Sequence, residues 1–191
     1  MSTPRIRCPE ATRAQIIEAA IRTAHEEGAA GFTLDAVVAR LPFSKGALLH
    51  HFPNKLALLE GVVDHLGQDF VNQIRERVAK DPNPYVPHAR AYLQATIDEV
   101  DAPDYASVSR AVLVACLLEP SIGSRWQAHI ARIRADDPTE PAAADDALIL
   151  RLVADGLWLN DIMGGHPISP DQRRALTQIL SPNLPVTGAK R

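Results

Sequence analysis

The polar side chains of this sequence that could act together are concentrated between positions 33 and 55. They supply hydroxyl, ammonium and imidazole groups, at Thr33, Lys45, His50, His51 and Lys55. Hydroxyl and ammonium groups bond to phosphate oxygens, and an imidazole can also reach a base edge. The set therefore indicates contact with nucleic acid, provided that the backbone presents these groups on one surface.

Two short helices joined by a turn are predicted to position them. The first helix should run from Leu34 to about Arg40. Thr33 can cap it, and Asp35 in the first turn suits the positive end of the helix dipole. Its apolar residues recur at intervals of three and four and predict one buried stripe, formed by Leu34, Val37, Val38 and Leu41.

Pro42 interrupts this helix, because proline lacks the backbone donor that continuation needs. Ser44 can then cap a second helix from Lys45 to about His51. Two short helices joined by a tight turn are the outline of a helix-turn-helix DNA reader, whose second helix enters the major groove. The end that would enter the groove and contact DNA is formed by Ser44, Lys45, Gly46 and Ala47. The small residues Gly46 and Ala47 would allow the backbone to approach, and Ala47 could touch a thymine methyl group.

Two histidines of the second helix and two arginines near the N-terminus could add to these contacts. His50 could bond to a phosphate or a base edge, whereas His51 is assigned to packing beside Phe52. Arg5 and Arg7 precede the first helix of the chain and could reach along the DNA backbone or into the minor groove, with a short disordered arm as the alternative. Adjacent histidines do not suggest a metal pair, since ligands on one helix face need a spacing of three or four.

The segment resembles the DNA-binding domain of the tetracycline-repressor (TetR) family of bacterial transcription regulators. The resemblance covers roughly Thr12 to Leu59 and rests on the order and spacing of EEGAAGF, TLDAVVA, SKGALLHHFPNK and LALL. It implies an all-α fold, with an N-terminal three-helix helix-turn-helix head joined to a larger helical ligand-binding and dimerisation body. It also implies that Thr33 and Lys55 face phosphates from helix N-termini. Pro42 stands where the family usually has glycine, and Leu49 where it usually has a tyrosine whose hydroxyl would bond to phosphate.

Composition favours an ordinary globular protein. Of 191 residues, 46% are apolar and 23% are charged. No apolar run approaches the roughly 18 residues of a membrane span, and the opening MSTPRIRC lacks the apolar stretch of a secretion signal. We therefore expect a cytoplasmic protein with no membrane partner.

The net charge of −3 is unevenly distributed. Residues 1–55 hold seven basic and five acidic residues, whereas residues 56–191 hold thirteen basic and eighteen acidic residues. A positive end on a negative body suits phosphate contact by that end alone. Ordinary scatter of surface charge is the alternative.

Nothing in the sequence favours catalysis or a bound metal. No GxSxG, HExxH, phosphate-binding loop or dinucleotide fingerprint occurs, and the acidic pairs at 136–137 and 145–146 are typical of solvated helix caps. Cys8 and Cys116 lack the spacing of a zinc site or a disulfide framework, and Cys116 is expected to be a buried, unreactive thiol. We therefore expect no enzyme activity, no cofactor and no metal.

Proline and glycine mark most helix boundaries. The first helix is predicted at 13–27, with Thr12 and Gln15 as a capping box and Gly28 as its stop. A long helix is predicted at 55–80 with one apolar stripe, and no strand pattern occurs. Further helices are predicted at 88–100, 104–118, 121–136, 144–163 and 170–180. The predicted domains are a helix-turn-helix DNA-binding domain at 1–55 and a helical ligand-binding and dimerisation domain at 56–191.

The helix at 144–163 holds too many apolar residues for one buried face. One face can serve its own domain and another a partner helix, so we predict a homodimer; the resemblance implies that the helix at 170–180 joins the interface. Gly156 supports close backbone approach, since glycine inside a helix costs about 1 kcal/mol relative to alanine. The candidate dimerisation residues are Leu148, Leu152, Gly156, Leu159 and Leu176. A wholly intramolecular core helix is the alternative.

The body of a TetR-like regulator usually encloses an apolar pocket with a few fixed polar groups. By residue type and position, the candidates to bind a ligand there are Tyr92, Tyr105, Arg110, Trp126, His129 and Trp158. A plain core or surface role is the alternative for each of them.

Together these patterns predict a ligand-responsive transcriptional repressor that binds a palindromic double-stranded DNA operator as a homodimer. An unknown small-molecule effector would release the operator by shifting the helix at 55–80. Two alternatives stand beside this hypothesis. One is a helical small-molecule carrier or enzyme whose head no longer binds DNA, as Pro42 and Leu49 suggest. The other is a DNA binder without an effector.

Overall fold

The computed structural model describes residues 9–99 and 105–180. In these ranges the chain forms helices and connecting turns, without a strand. The helices, in chain order, are α1 (Pro9–Gly31), α2 (Leu34–Val38), α3 (Lys45–His51), α4 (Lys55–Lys80), α5 (Pro87–Glu99), α6 (Tyr105–Leu118), α7 (Pro120–Arg134), α8 (Pro141–Met163) and α9 (Pro170–Leu180). The predicted all-α fold is confirmed, and each predicted helix is found within about one turn of its expected ends.

Proline opens four of the five described helices that follow residue 80, and α6 is the exception. The first residues of α5, α7, α8 and α9 are Pro87, Pro120, Pro141 and Pro170. This position suits proline, because the first amide of a helix has no intrahelical partner. At the other end of α8, Gly164 adopts a left-handed conformation with a φ of 65° and stops the helix.

The start of α1 differs from the prediction. The capping box of Thr12 and Gln15 is wrong, because α1 already includes Pro9 and buries Thr12 inside the helix. The expected interruption at Gly28 is confirmed, although helical residues resume after it and α1 continues to Gly31. The φ of 65° and ψ of −173° at Gly28 break the helical backbone, in a conformation essentially restricted to glycine.

Two compact units make up the chain. Among the described residues, unit 1 contains residues 9–66 and 107–126, and unit 2 contains residues 67–99, 105–106 and 127–180. α4 and α7 therefore each contribute to both units. This division follows packing alone, so the functional boundary proposed at residue 55 stays a prediction.

The core of unit 1 is shared by α1, α2, α3 and the start of α4. Its fully buried members include Ile16, Ala20, Val37, Leu48 and Leu58. The predicted stripe of α2 is confirmed, because Val37 is fully buried and the other three residues pack against the same core. A smaller cluster around Val63, Ala115 and Ile122 adds α6 and α7 to the unit.

Cys116 lies beside this smaller cluster. The thiol is half-buried rather than buried as expected. Partial burial raises its pKa above the ordinary value, so the thiolate is disfavoured.

In unit 2, α5 packs along α8. Small residues allow the two helices to approach closely, and Ala89, Ala95, Ala147 and Ala154 are all buried between larger apolar side chains. Two buried arginines are compensated by carboxylates, since Arg151 Nε lies 2.9 Å from Asp137 and Arg173 Nη1 lies 3.0 Å from Asp161. Such pairs must stay intact, because a buried charge without its partner is strongly destabilising.

In the described residues, no single helix has the length and apolar character that crossing a bilayer requires; only α6 and α7, taken as a bent pair, meet that test.

Candidate nucleic-acid interface

The two helices on either side of the turn, α2 and α3, are each capped at their N-terminus by a side chain. Thr33 Oγ1 accepts a hydrogen bond from the Ala36 amide at 3.1 Å, and Ser44 Oγ accepts one from the Ala47 amide at 3.4 Å. Each cap accepts a bond from an amide in the first turn of its helix, an interaction that stabilises a helix by about 1 kcal/mol. α3 therefore begins directly after the turn, at the position that Ser44 predicts.

One face of α3 anchors it to the core. Leu48 is fully buried, and Phe52 at the C-terminal cap is 3% exposed. The Phe52 ring lies against α4 at Gly61, where a Cβ atom would come within 2.5 Å of a ring carbon. The Arg13 guanidinium lies 5.0 Å from the ring centroid. Only glycine leaves room for the ring at position 61, a requirement that the sequence pattern does not reveal.

The other face of α3 is open to solvent. Nearly all the predicted DNA-contacting residues are exposed: Thr33, Ser44, Lys45, Gly46, His50 and Lys55. Ala47 is half-buried. Leu49 is 37% exposed on the same short helix. The structure thus brings the residues of α3 together, with Thr33 and Lys55 at the starts of the two helices beside it.

Lys45 does not present a free ammonium group. Its Nζ atom lies 2.7 Å from Asp35 Oδ1, in an exposed ion pair that joins α3 to α2. Any anion that binds Lys45 would have to displace this carboxylate or share the ammonium with it. Sequence reasoning assigned Asp35 to the helix dipole alone, because a partner ten residues away across a turn gives no periodic signal.

Lys55 has a different environment. Its Nζ atom lies 5.6 Å from the centroid of the Phe32 ring, a cation–π distance. Among the described residues, no carboxylate forms an ion pair with this ammonium. The positive charge of Lys55 is therefore available to an anion.

The Arg40 side chain bonds to other residues of this chain. Its guanidinium bonds to Glu26 at 3.2 Å through Nε and to Glu27 at 2.8 Å, and it also donates to the Ala36 carbonyl. The hydrogen bond and the charge of Arg40 lower the pKa of Glu26 below its ordinary value. These contacts hold the end of α2 against α1.

Three other sequence expectations concern the head. Arg5 and Arg7 lie outside the described residues. His51 is half-buried, and its ring meets the edge of the His50 ring at a centroid distance of 5.5 Å. The expected packing of His51 against Phe52 stays a prediction.

The outer face of α8 is a second candidate contact surface, because it is apolar and exposed to solvent. Several large apolar side chains on it are about half exposed or more, including Leu148, Leu152 at 60%, Leu159 and Met163 at 71%. A Cβ atom at Gly156 would meet nothing within 4 Å in this chain. Leu176 differs from the other candidate dimerisation residues, because it is half-buried and packs against the core of unit 2.

The six residues predicted to bind a ligand are divided between the two units, and their role in ligand binding stays a prediction. Arg110 and Trp126 belong to unit 1, whereas Tyr92, His129 and Trp158 belong to unit 2. Tyr105 opens α6, and its side chain lies outside the described residues.

Two of the unit 2 candidates also contact other residues of this chain. Tyr92 is buried and donates a hydrogen bond to Asp155 at 2.7 Å. The His129 ring lies so close to α4 that a Cβ atom at Gly67 would come within 2.5 Å of it. Within the described part of the chain, no group of three His, Cys, Asp or Glu side chains is arranged to hold a metal ion.

Comparisons with known proteins agree with this architecture. Residues 16–62 match the family model of bacterial regulatory proteins of the tetR family, and residues 87–182 match the tetracyclin repressor-like C-terminal domain. The HTH-type transcriptional regulator BetI of Burkholderia cenocepacia (strain HI2424) is 32% identical over 185 residues, which span 91% of this chain and 92% of BetI.

Solved structures share the fold. A transcriptional regulator from Rhodococcus sp. Rha1 superposes with a TM-score of 0.69 at 22% identity, covering 90% of this chain and 95% of that one. The multidrug binding protein EbrR, complexed with malachite green, gives a TM-score of 0.65 at 20% identity, covering 91% of this chain and 98% of the EbrR chain. With both family models matched in order and a relative aligned over nearly its whole length, the chain belongs to the tetR family of bacterial transcription regulators.

Proposed function

We propose that this protein is a ligand-responsive transcriptional repressor that binds a palindromic DNA operator as a homodimer. Membership of the family makes it a DNA-binding transcription regulator and not an enzyme. The observation that carries the proposal further is the exposed start of α3. Capped at Ser44 and anchored through Leu48 and Phe52, this helix leaves its outer face free to enter a major groove.

The proposed DNA contacts divide into positioning and reading groups. Thr33 and Lys55 stand at the starts of α2 and α4, where a phosphate also interacts favourably with the helix dipole. Ser44, Lys45 and His50 lie on α3 or at its cap, and Gly46 and Ala47 keep its leading edge small. Phosphate contacts fix register, while the side chains of α3 meet base edges.

Dimerisation is proposed through the outer face of α8. Its exposed leucines form a helical stripe that includes Leu148, Leu152 and Leu159, with Gly156 in the middle where a second backbone could approach. α9 is expected to contribute at the edge through Ile179, which is 59% exposed. A two-fold dimer would place two copies of α3 on half-sites about 34–36 Å apart, or a multiple of that spacing.

Effector response is proposed to act through α4, which contributes to both units. A ligand need only bind one conformation better than the other; a coupling of about 3 kcal/mol changes operator affinity by more than a hundredfold. EbrR, which shares the fold, was crystallised with malachite green, so this helical architecture can hold a small molecule. Action on bacterial DNA requires a cytoplasmic location.

Selection from a pool of random duplexes tests the proposal. The full-length protein should enrich an inverted repeat, bind it with two subunits per duplex, and lose affinity steeply as salt is raised, because phosphate contacts release counterions. Fluorescence anisotropy and sedimentation of the complex measure these quantities. Absence of binding at low salt, or enrichment of an unrepeated site by a single subunit, would contradict it.

A further inference from the structure

An apolar pocket of about 160 Å³ lies inside unit 1. Its walls come from the end of α1, the first turns of α4, and α6. Ala24, Phe32, Leu59, Ala111 and Ala115 are among the residues that line it. None of the six residues predicted to bind a ligand belongs to this pocket.

The volume of the pocket limits what can enter it. An enclosed apolar cavity of about 150 Å³ holds one benzene molecule, so a volume of this size suits one six-membered ring. This pocket is partly open to solvent, since Leu118 in its wall is 72% exposed, and a polar substituent of the ring can stay at its mouth.

Two charged residues, Lys55 and Glu119, line the pocket, and the electrostatic surroundings of their side chains differ. Glu119 directly precedes Pro120, the first residue of α7, so its carboxylate is favoured by the positive end of that helix. Among the described residues, Lys55 has no carboxylate partner, and its ammonium group lies over Phe32, itself a wall of the pocket. The positive end of α7 offsets part of the Glu119 charge, whereas no carboxylate among the described residues offsets the Lys55 charge, so the balance of charge at the pocket favours an anion at Lys55.

We propose that this pocket binds a small aromatic monocarboxylate, with its ring among the apolar walls and its carboxylate at Lys55. The regulatory consequence rests on the proposed function, in which Lys55 also contacts a phosphate. Ligand carboxylate and DNA phosphate would then compete for one ammonium group. Binding of the acid would weaken operator binding and remove one phosphate contact.

Calorimetry on the full-length protein without DNA tests the site itself. Benzoate, benzamide and benzylamine share one ring and differ in charge, so benzoate should bind best and benzylamine worst. Lys55→Met should reduce benzoate affinity about fivefold, the size expected for a partly exposed ion pair, while leaving benzamide affinity nearly unchanged. Tighter binding of benzylamine than of benzoate, or equal loss of benzoate and benzamide affinity in Lys55→Met, would overturn the proposal.

A second variant tests the location. Ala111→Phe should fill the pocket and abolish binding of both benzoate and benzamide, while the matched Ala128→Phe, at an exposed position of α7, should leave both unchanged. Helical circular dichroism and the melting temperature confirm that each variant is folded. Unaltered benzoate binding in a folded Ala111→Phe variant would place the ligand elsewhere and reject the pocket.

Anisotropy with the selected operator tests the regulation. Benzoate should weaken operator binding by the wild-type protein and lower the slope of log affinity against log salt by about 0.9, the value for one phosphate contact. The effect should disappear in Lys55→Met. Benzoate binding with no change in operator affinity would reject the competition at Lys55. If the protein binds no DNA, the proposed function fails while the calorimetry still decides the site; if DNA binds and benzoate does not, only this inference fails.

Discussion

The start of α3 and the outer face of α8 are both exposed helix surfaces, yet they expose opposite chemistry. α3 and its cap present hydroxyl, ammonium and imidazole groups at Ser44, Lys45 and His50, whereas α8 presents aliphatic side chains such as Leu152 and Leu159. Polar groups are well hydrated until an anion replaces water. Exposed apolar surface instead gains about 25 cal/mol for each Å² that a partner covers. In each helix the buried face stabilises the subunit, so the chemistry of the exposed face indicates the kind of partner that it can bind.

The glycines associated with α3 and with α8 also have different structural roles. Gly61 of α4 is required inside the subunit, since the Phe52 ring that anchors α3 occupies the space of its missing side chain. Gly156 of α8 faces open space in this chain. One glycine therefore serves the intramolecular core that positions the DNA-contacting helix, and the other is available to an intermolecular contact.

The largest expected effect comes from charging the apolar face. Leu152→Glu should convert a dimer to monomers, because the new carboxylate would be buried in the interface while it stays exposed in the separate subunit. Operator affinity should fall about a hundredfold or more, since the two heads no longer bind together. Sedimentation velocity and anisotropy measure the two losses. Ala142→Glu, an exposed change in the first turn of α8, is the control and should keep the dimer.

The two glycines provide the next test. Gly61→Ala should lower the free energy of unfolding by about 1–3 kcal/mol, because Phe52 must move to admit the Cβ atom. Gly156→Ala should raise it by up to about 1 kcal/mol through helix propensity. Urea unfolding of both variants in the Leu152→Glu background excludes any contribution from dimerisation. Equal effects of the two changes would show that Phe52 is not constrained at Gly61.

The lysines of the head should affect DNA binding without affecting stability. Lys45→Ala and Lys55→Ala should each reduce operator affinity roughly tenfold at about 0.1 M salt and lower the salt slope by about 0.9. Lys80→Ala, exposed at the far end of α4, is the matched control and should change neither. If affinity and slope are unaltered for both head lysines, they are not contact residues.

The smallest expected effect concerns the carboxylate beside Lys45. Asp35→Asn should increase operator affinity about twofold to fivefold, because the ammonium no longer has to leave an exposed ion pair. The same change in a Lys45→Ala background should have little effect, apart from the general removal of one negative charge. A gain of equal size in both backgrounds would mean that the ion pair does not restrain Lys45.

The sequence predicted the helix-turn-helix closely because its signals are local. Thr33 and Ser44 are caps whose hydrogen bonds span three residues, and Pro42 excludes helix between them. The same reasoning was wrong for Thr12, a residue type that also caps helices but here is buried in the interior of α1. Residue type alone does not distinguish these two uses.

Cavities lie beyond the reach of such local reasoning. Tyr92 and Trp126 were selected by type and position, and their role in ligand binding stays a prediction. The pocket beside Lys55 is formed by α1, α4 and α6, elements that are distant in the chain and carry no shared sequence pattern. No periodic pattern marks a cavity, because its walls are ordinary apolar residues.

Local patterns in the sequence predict most helix ends and the apolar stripe of most helices. These properties depend on backbone geometry and hydrogen bonds within a few residues. Only packing in three dimensions brings the Phe52 ring to Gly61, pairs Asp35 with Lys45, and leaves the α8 stripe around Leu152 exposed. Each of these depends on the distance between side chains that lie far apart in the sequence, and packing rather than local propensity determines that distance.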